Sequence, residues 1–304
     1  MKSVFGYACI SDLYPSLKAG STSTLTYINK LAADARGPYL LPKAKSNIDG
    51  LRNLLHKNAQ NGIFAYRMSD HFMPMADLGY YDWEEMFGRE LELLGEVANQ
   101  YNMFLSFHPS QFFVLNSATP HVVDAAIKNF NIFADVLRLM KLKNKPVLLT
   151  HVGARSTYKT QDEACDAFSR HFERLSPAAQ EYFAVENDQS AHSIDSCLYI
   201  HKQIGIPVVL DNAHYNYKPV QDMSLADAAA AVVPTWGDRV PKFHVSSELA
   251  GSPRHAHADY VTKEDFSQFY RAVAKTGADK VIWMFEAKKK DRAVLDILDK
   301  IKKK

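Results

Sequence analysis

At 304 residues and 47% hydrophobic content, the chain could form one large α/β domain or two ordinary ones, with a sizeable core. A formal net charge of +2 does not announce a nucleic-acid binder, although a local basic patch is compatible with it. Three scattered cysteines, Cys9, Cys165 and Cys197, with no CxxC pair, argue against a disulfide framework or a thiolate zinc site.

No apolar run approaches the roughly 18 residues of a membrane span. The first residues become strand-like at once, without the apolar core and cleavage site of a secretory signal, so the expected location is cytoplasmic. Residues 4–8 predict a first strand. An irregular stretch over 11–46 follows, with a short helix near 25–31; so long an excursion is more often functional than not. Ile48, Leu51, Leu54 and Leu55 share one face of a helix over 48–61, closed by Gly62 as its C′ residue. Residues 63–67 predict the second strand, leading into Ser69-Asp70-His71. The alternation then persists. Helices over 83–101, 120–142, 162–175, 193–204, 225–233 and 263–276 alternate with strands over 103–107, 147–150, 182–185, 207–210, 242–245 and 281–285. A last helix over 292–302 carries a basic, solvated tail.

Eight strands alternating with helices, with no Pro/Gly/Ser linker, predict one (β/α)8 TIM barrel over residues 1–304. A doubly wound open sheet is the competitor. It would more often carry a Gly-rich phosphate loop after its first strand, which Gly6-Tyr7-Ala8-Cys9 is not.

In a barrel the C-terminal strand ends share one mouth, where active sites are built. His108, His151, Glu186, Asp211, His244 and Glu286 fall at or near the ends of strands three through eight. His214 follows Asp211 by three residues, His257 lies in the loop after strand seven, and His71 follows strand two. A lone strand-end histidine is ordinarily a hydrogen-bonded structural residue. Six such groups at six successive strand ends would leave several buried and unpaired without a cation. Imidazole plus carboxylate suits zinc, manganese or iron(II). Three carboxylates exceed the needs of one ion, so two or three ions sharing a bridging carboxylate are expected, an arrangement suited to phosphodiester cleavage. Lys242 and His244 are two apart and point to one face, so a lysine joins the site if His244 does. Asn187 and Asp188 are expected to fix the loop behind Glu186. His56, His121, His171, His192, His201 and His255 have no such placement and are expected to be surface or local residues.

At these residues the chain resembles the ultraviolet damage endonuclease family, relatives of endonuclease IV among metal-dependent (β/α)8 barrels. The matching stretches run in order along nearly the whole chain. They are Gly6-Tyr7 with Cys9, Arg67-Met68-Ser69-Asp70-His71, Ser106-Phe107-His108-Pro109-Ser110-Gln111-Phe112, Thr150-His151-Val152-Gly153 and Val185-Glu186-Asn187-Asp188, followed by Leu210-Asp211-Asn212-Ala213-His214, Pro241-Lys242-Phe243-His244-Val245-Ser246, His255-Ala256-His257-Ala258-Asp259-Tyr260 and Phe285-Glu286-Ala287-Lys288.

The resemblance implies that His108, His151 and Glu186 hold one metal. Glu186 would bridge to a second, held also by Asp211, His244 and Glu286, and His214 and His257 would hold a third. The usual ion would be manganese, with zinc as an alternative. Lys242 resembles a lysine that the family can carry in carboxylated form, and Glu186, His244, Lys242 and His71 are the catalytic candidates. Gln111 and Phe112 resemble a pair that probes the base stack, with Phe112 where some relatives have tyrosine. Tyr7 would pack against a flipped dinucleotide. Arg67, Lys242, Arg254 and the run Lys288-Lys289-Lys290 are candidate phosphate contacts, a solvated face being the other reading of that run.

The implied activity is ATP-independent cleavage of the phosphodiester immediately 5′ of cyclobutane dimers and (6-4) photoproducts, and of abasic sites. It would leave a 3′-hydroxyl and a 5′-phosphate. The partner is UV-damaged double-stranded DNA and the expected state a monomer. A metal-dependent sugar isomerase or epimerase on the same barrel is the competing function, and a non-catalytic module binding damaged DNA or metal is the third.

Overall fold

The structure is a computed structural model and describes residues 1–249, 251, 252 and 256–302. Eight parallel strands close into a barrel in chain order. They are β1 (Lys2–Ala8), β2 (Ala65–Met68), β3 (Phe104–Phe107), β4 (Val147–His151), β5 (Phe183–Glu186), β6 (Val208–Asp211), β7 (Lys242–Val245) and β8 (Lys280–Phe285). Closure is made by β1 against β8, in register from Lys2↔Lys280 to Tyr7↔Phe285. The open-sheet alternative is thereby excluded.

The helices are α1 (Leu25–Ile28), α2 (Ala33–Gln60), α3 (Trp83–Gln100), α4 (Pro120–Leu139), α5 (Gln161–Phe172), α6 (Pro177–Tyr182), α7 (Ile194–Ile204), α8 (Asn212–Tyr217), α9 (Leu225–Val232), α10 (Lys263–Ala274) and α11 (Lys290–Lys302). Among the described residues no helix is long and apolar enough to cross a membrane.

The predicted strands fall within a residue or two of their observed bounds. The main departure is α2, which starts at Ala33, inside the stretch expected to be irregular. Pro38 and Pro42 lie within it and each removes an intrahelical donor. The helix persists because Leu40, Ala44, Ile48, Leu51, Leu54 and Leu55 form a buried stripe against the barrel. Two short helices also went unpredicted. Ser176 caps α6 with Pro177 at its first position, and Asp211 caps α8.

Strand periodicity divides the barrel in two. An apolar plug of Val4, Ala65, Ile282 and Met284, with Phe104 and Val240 packed on it, fills part of the interior. Further along the same inward faces, in steps of two, come Arg67 after Ala65, Ser106 and His108 after Phe104, Lys242 and His244 after Val240, and Glu286 after Met284. The interior therefore turns from apolar to ionic toward the C-terminal mouth. Gly6 sits at a close strand contact, where a Cβ would meet the Ala65 carbonyl oxygen at 2.4 Å.

The outward faces pack aromatic side chains against the helices. Phe183 meets Phe130 at 5.0 Å and Phe172 at 5.6 Å between ring centroids, and Phe243 meets Phe269 at 5.5 Å.

Candidate metal centre

Glu186, the last residue of β5, is the hub of the C-terminal mouth. Three groups of ligand atoms, each within 4.8 Å of one another, all include it: His108–His151–Glu186, Glu186–Asp211–His214 and Glu186–His244–Glu286. Its Oε2 stands 2.9 Å from His108 Nε2, and its Oε1 stands 2.8 Å from His244 Nδ1. His244 Nδ1 is also 3.0 Å from Glu286 Oε1. The first group matches the expected first set. The others divide differently, because Asp211 groups with His214 rather than with His244 and Glu286. His257 stands apart from His214, their ring centroids 6.4 Å apart, and its Nε2 lies 3.7 Å from Glu286 Oε2.

Local structure orients these groups. Three histidines turn Nδ1 to a backbone carbonyl: His108 to Pro109 at 3.3 Å, His151 to Glu186 at 3.4 Å and His214 to Asn187 at 3.0 Å. A carbonyl accepts only from N–H, so with Nδ1 turned this way Nε2 is the nitrogen each ring would offer to a cation, as in metal-ligating histidines; without a cation, His108 Nε2 meets Glu186 Oε2 at 2.9 Å. Asp211 Oδ1 accepts the His214 backbone N–H at 2.8 Å as the cap of α8. Asp188 accepts from the backbone N–H groups of Ser190, Ala191 and His192 at 2.7, 2.5 and 3.0 Å, which folds the loop after β5 into a tight turn. Gly153, two residues past His151, takes φ 105°, a left-handed conformation that favours glycine.

Electrostatics follow from burial and mutual charge. Burial would raise the Glu186 and Glu286 carboxyls. Facing charge and hydrogen bonds reverse this and hold both well below the usual range: the charge of His244 and a hydrogen bond with His108 for Glu186, and the charges of Arg67 and His244 for Glu286. Burial pushes His108 down to about 4, keeping it neutral. His214 is pushed up to about 9, because Asp211, Glu186 and Glu286 outweigh its burial. Asp211 is raised, by burial first and then by the negative charge of Glu186 and Glu286.

The donor set fits divalent cations. Among the described residues, Glu186 Oε1, Asp211 Oδ2 and both ring nitrogens of His244 are buried with no hydrogen-bond partner. Buried polar atoms in that state are costly, and a shared cation would satisfy them. Oxygen and imidazole donors without thiolate suit manganese, iron(II) or zinc.

The remaining predicted residues fall into distinct places. Lys242 is buried, and its Nζ donates to Ser106 Oγ at 2.5 Å across the barrel interior. Burial, with Arg67 nearby, pushes its ammonium down to about 7. Arg67 is paired with Glu286. Both line a cleft of about 440 Å³ that also includes His108, Gln111, His151 and His214. Phe112 is 79% exposed and borders an adjoining cleft of about 420 Å³ with Asp70, His71 and Phe113. Phe113 packs inward against Phe130 and Phe133 at 6.3 and 6.2 Å. Loop packing therefore accounts for Phe113 and not for Phe112.

Several expectations need correction. Tyr7 cannot face a flipped base in this structure. It lies on the outward face of β1, 0% exposed, with its hydroxyl donating to Asn58 Oδ1 at 2.9 Å and its ring edge-on to Tyr66. His71 is exposed at the neighbouring cleft beside Asp70 and joins none of the three ligand groups. Arg67, a candidate phosphate contact, lines the cleft and is also the ion-pair partner of the candidate ligand Glu286. His192 is fully buried, its Nε2 directed at the Ala154 carbonyl at 3.2 Å. Arg254 and His255 lie outside the described residues. Sequence reasoning missed Ser106 as the partner of Lys242, and Asn212, whose amide bonds to the Ser246 backbone. An Asn directly after each of the carboxylates Glu186 and Asp211 was the available signal.

Fold and site together define a (β/α)8 barrel with a buried His/carboxylate cluster, able to hold cations, at its C-terminal mouth. The family described as UV-endonuclease UvdE matches residues 3–304, and the chain belongs to that family. The UV DNA damage endonuclease of Bacillus velezensis is 28% identical over 305 residues, covering 98% of this chain and 94% of that protein. That of Halalkalibacterium halodurans is 28% identical over 304 residues, with the same coverage. The crystal structure of SacUVDE superposes with a TM-score of 0.87 at 27% identity, covering 99% of this chain and all of that one. Endonuclease IV of Thermus thermophilus (TM-score 0.53, 14% identity, 78% of this chain and 87% of that one) and a D-psicose 3-epimerase (0.53, 15%, 77% and 78%) share the fold alone.

Proposed function

We propose that the protein is a metal-dependent DNA repair endonuclease that hydrolyses the phosphodiester immediately 5′ of UV photoproducts in double-stranded DNA. The observation that carries this reading is the convergence of three candidate ligand groups on Glu186, in a chain whose family is that of UV endonucleases. His108, His151, Glu186, Asp211, His214, His244 and Glu286 would hold two or three divalent ions, with manganese the leading candidate and His257 at the edge of the set. Ions bound there would supply positive charge for the scissile phosphate and its leaving oxygen and would acidify the attacking water.

The protein's own groups have separate tasks. Arg67 neutralises Glu286 and keeps it ionised. His108 stays neutral, as a ligand must. Lys242 shares the inward face of His244, and with its pKa pushed down to about 7 it is partly neutral at physiological pH. That is the state in which it can accept a proton or carry a carboxylate group. Gln111 lines the cleft over the centre and Phe112 is exposed beside it, which suits the pair to probing unstacked bases of a damaged duplex. Cyclobutane dimers and (6-4) products are the leading substrates, followed by abasic sites, and a monomer acting from one open mouth suffices.

The test is nicking of UV-irradiated against untreated plasmid with Mn²⁺. Nicking confined to irradiated DNA supports the reading. Ketose–aldose interconversion without nicking would favour a sugar isomerase or epimerase instead. The adjoining open clefts and the exposed Phe112 suit a polymer substrate better than an enclosed sugar.

A further inference from the structure

Three candidate ligand and neighbouring residues at the ends of β5 and β6 close a circuit of hydrogen bonds. The backbone ladder between these strands stops at Glu186↔Val209. Beyond it, the Asn187 side chain takes over. Its Oδ1 accepts from Asp211 N–H at 2.9 Å, and its Nδ2 donates to the Asp211 carbonyl at 3.3 Å. Asp211 Oδ1 accepts from His214 N–H at 2.8 Å. His214 Nδ1 closes the ring by donating to the Asn187 carbonyl at 3.0 Å. All three residues are buried. The circuit uses Asp211 Oδ1 and His214 Nδ1 and leaves Asp211 Oδ2 buried without a hydrogen-bond partner.

Asn212 makes a similar two-bond strap one strand further on, between its amide and the backbone of Ser246 at 3.0 and 3.1 Å. Ser246 is not a candidate ligand. The two asparagines thus do the same mechanical work, but the Asn187 strap alone runs through two ligands.

We infer that Asn187 is the positioning residue that holds Asp211 and His214 as one preformed half-site, so that its side chain selectively supports the ion shared by Glu186, Asp211 and His214. Its amide fixes where the residue-187 carbonyl points, the carbonyl fixes the His214 tautomer, and the strap sets the Asp211 backbone from which Oδ2 projects. The His108–His151 half-site is held by the Pro109 and Glu186 carbonyls and does not depend on this amide. The inference rests on the metal-centre reading proposed above.

Manganese titration of the full chain without DNA, followed by the electron paramagnetic resonance of free Mn²⁺, tests it. In Asn187→Leu one ion should bind about 10- to 100-fold more weakly while the others stay within about threefold. Asn187→Asp keeps an acceptor for Asp211 N–H and loses the donor, so the same ion should weaken to a smaller degree; this variant decides the matter if the leucine variant does not fold. Asn212→Leu should leave every ion within about threefold. Unchanged binding in the Asn187 variants overturns the inference, as does equal weakening of all ions by Asn187→Leu and Asn212→Leu. A parent protein that binds no Mn²⁺ would overturn the metal reading and this inference with it, whereas a parent that binds and variants that match it would overturn this inference alone.

Discussion

His244 Nδ1 stands 2.8 Å from Glu186 Oε1, and the two are not aligned as a hydrogen bond. Both side chains are buried in the barrel, at 0% and 1% exposure. A close, unaligned pair of buried ligand atoms is what a common cation would organise, and a proton alone satisfies it poorly. Burial opposes charge on His244, yet the neighbouring carboxylates raise its pKa.

Removing the hub should therefore be the most damaging single change. Glu186→Gln keeps the volume and removes the charge common to all three ligand groups. It should lower nicking of irradiated DNA by at least about a hundredfold, beyond what loss of an outer partner causes, and reduce the Mn²⁺ bound per chain. Supercoiled-plasmid nicking together with metal analysis of the purified variant measures both.

Phe112 is displayed rather than packed. Phe112→Ala should leave the denaturant midpoint nearly unchanged, within about 0.5 kcal/mol. Binding to a duplex bearing one photoproduct should weaken by about 1–3 kcal/mol, roughly 5- to 150-fold, the range of one base–aromatic stack. Fluorescence anisotropy with damaged and undamaged duplexes checks this, and an equal loss on both would remove its lesion-probing role.

Tyr7 should behave in the opposite way. Tyr7→Phe deletes the donor to Asn58 Oδ1 and leaves that buried oxygen unpaired. Stability should fall by about 1–3 kcal/mol, with lesion affinity unchanged. Urea unfolding and the same anisotropy assay separate the two effects.

Metal uptake should release protons near neutral pH. His214 is raised to about 9 without an ion, so it carries a proton at pH 7.5 that a ligand must shed. Affinity for Mn²⁺ should then rise with pH up to about 9. Titration calorimetry in buffers of different ionisation enthalpy reads the released protons directly. In the metal-free protein the sign reverses. The His214 contribution to stability is complete below its ordinary value of 6.5 and is lost as pH rises through about 9. His108, pushed down to about 4, acts oppositely, and its protonation destabilises the fold as pH falls from 6.5 toward 4.

Much of this centre was legible in the sequence, for a physical reason. Eight short apolar runs alternating with helical patterns state the barrel, and the His, Asp or Glu at or near the ends of the last six state the mouth where ionic groups gather. The parity that places Lys242 with His244 is also visible without coordinates. Tyr7 shows where such reading stops. The same parity rule puts it on the face opposite Gly6 and Ala8, toward α2, but a motif match weighed against that rule and misplaced it. Long-range partners were illegible as well. Nothing local announces that Asn58 receives Tyr7 or that Ser106 receives Lys242, since these depend on barrel closure and shear. The start of α2 was hidden because Pro38 and Pro42 argue locally against a helix that tertiary burial sustains.

The most direct test of the metal-dependent incision proposed for this protein is cleavage of a synthetic duplex carrying one cyclobutane dimer, end-labelled on the damaged strand. It compares the chelator-stripped protein before and after Mn²⁺ is restored. The account predicts no product from the stripped protein and, after Mn²⁺, a single cut at the phosphodiester immediately 5′ of the dimer, absent with Glu186→Gln. Equal cutting without metal, or Mn²⁺-dependent cutting of the undamaged duplex at the same rate, would contradict it.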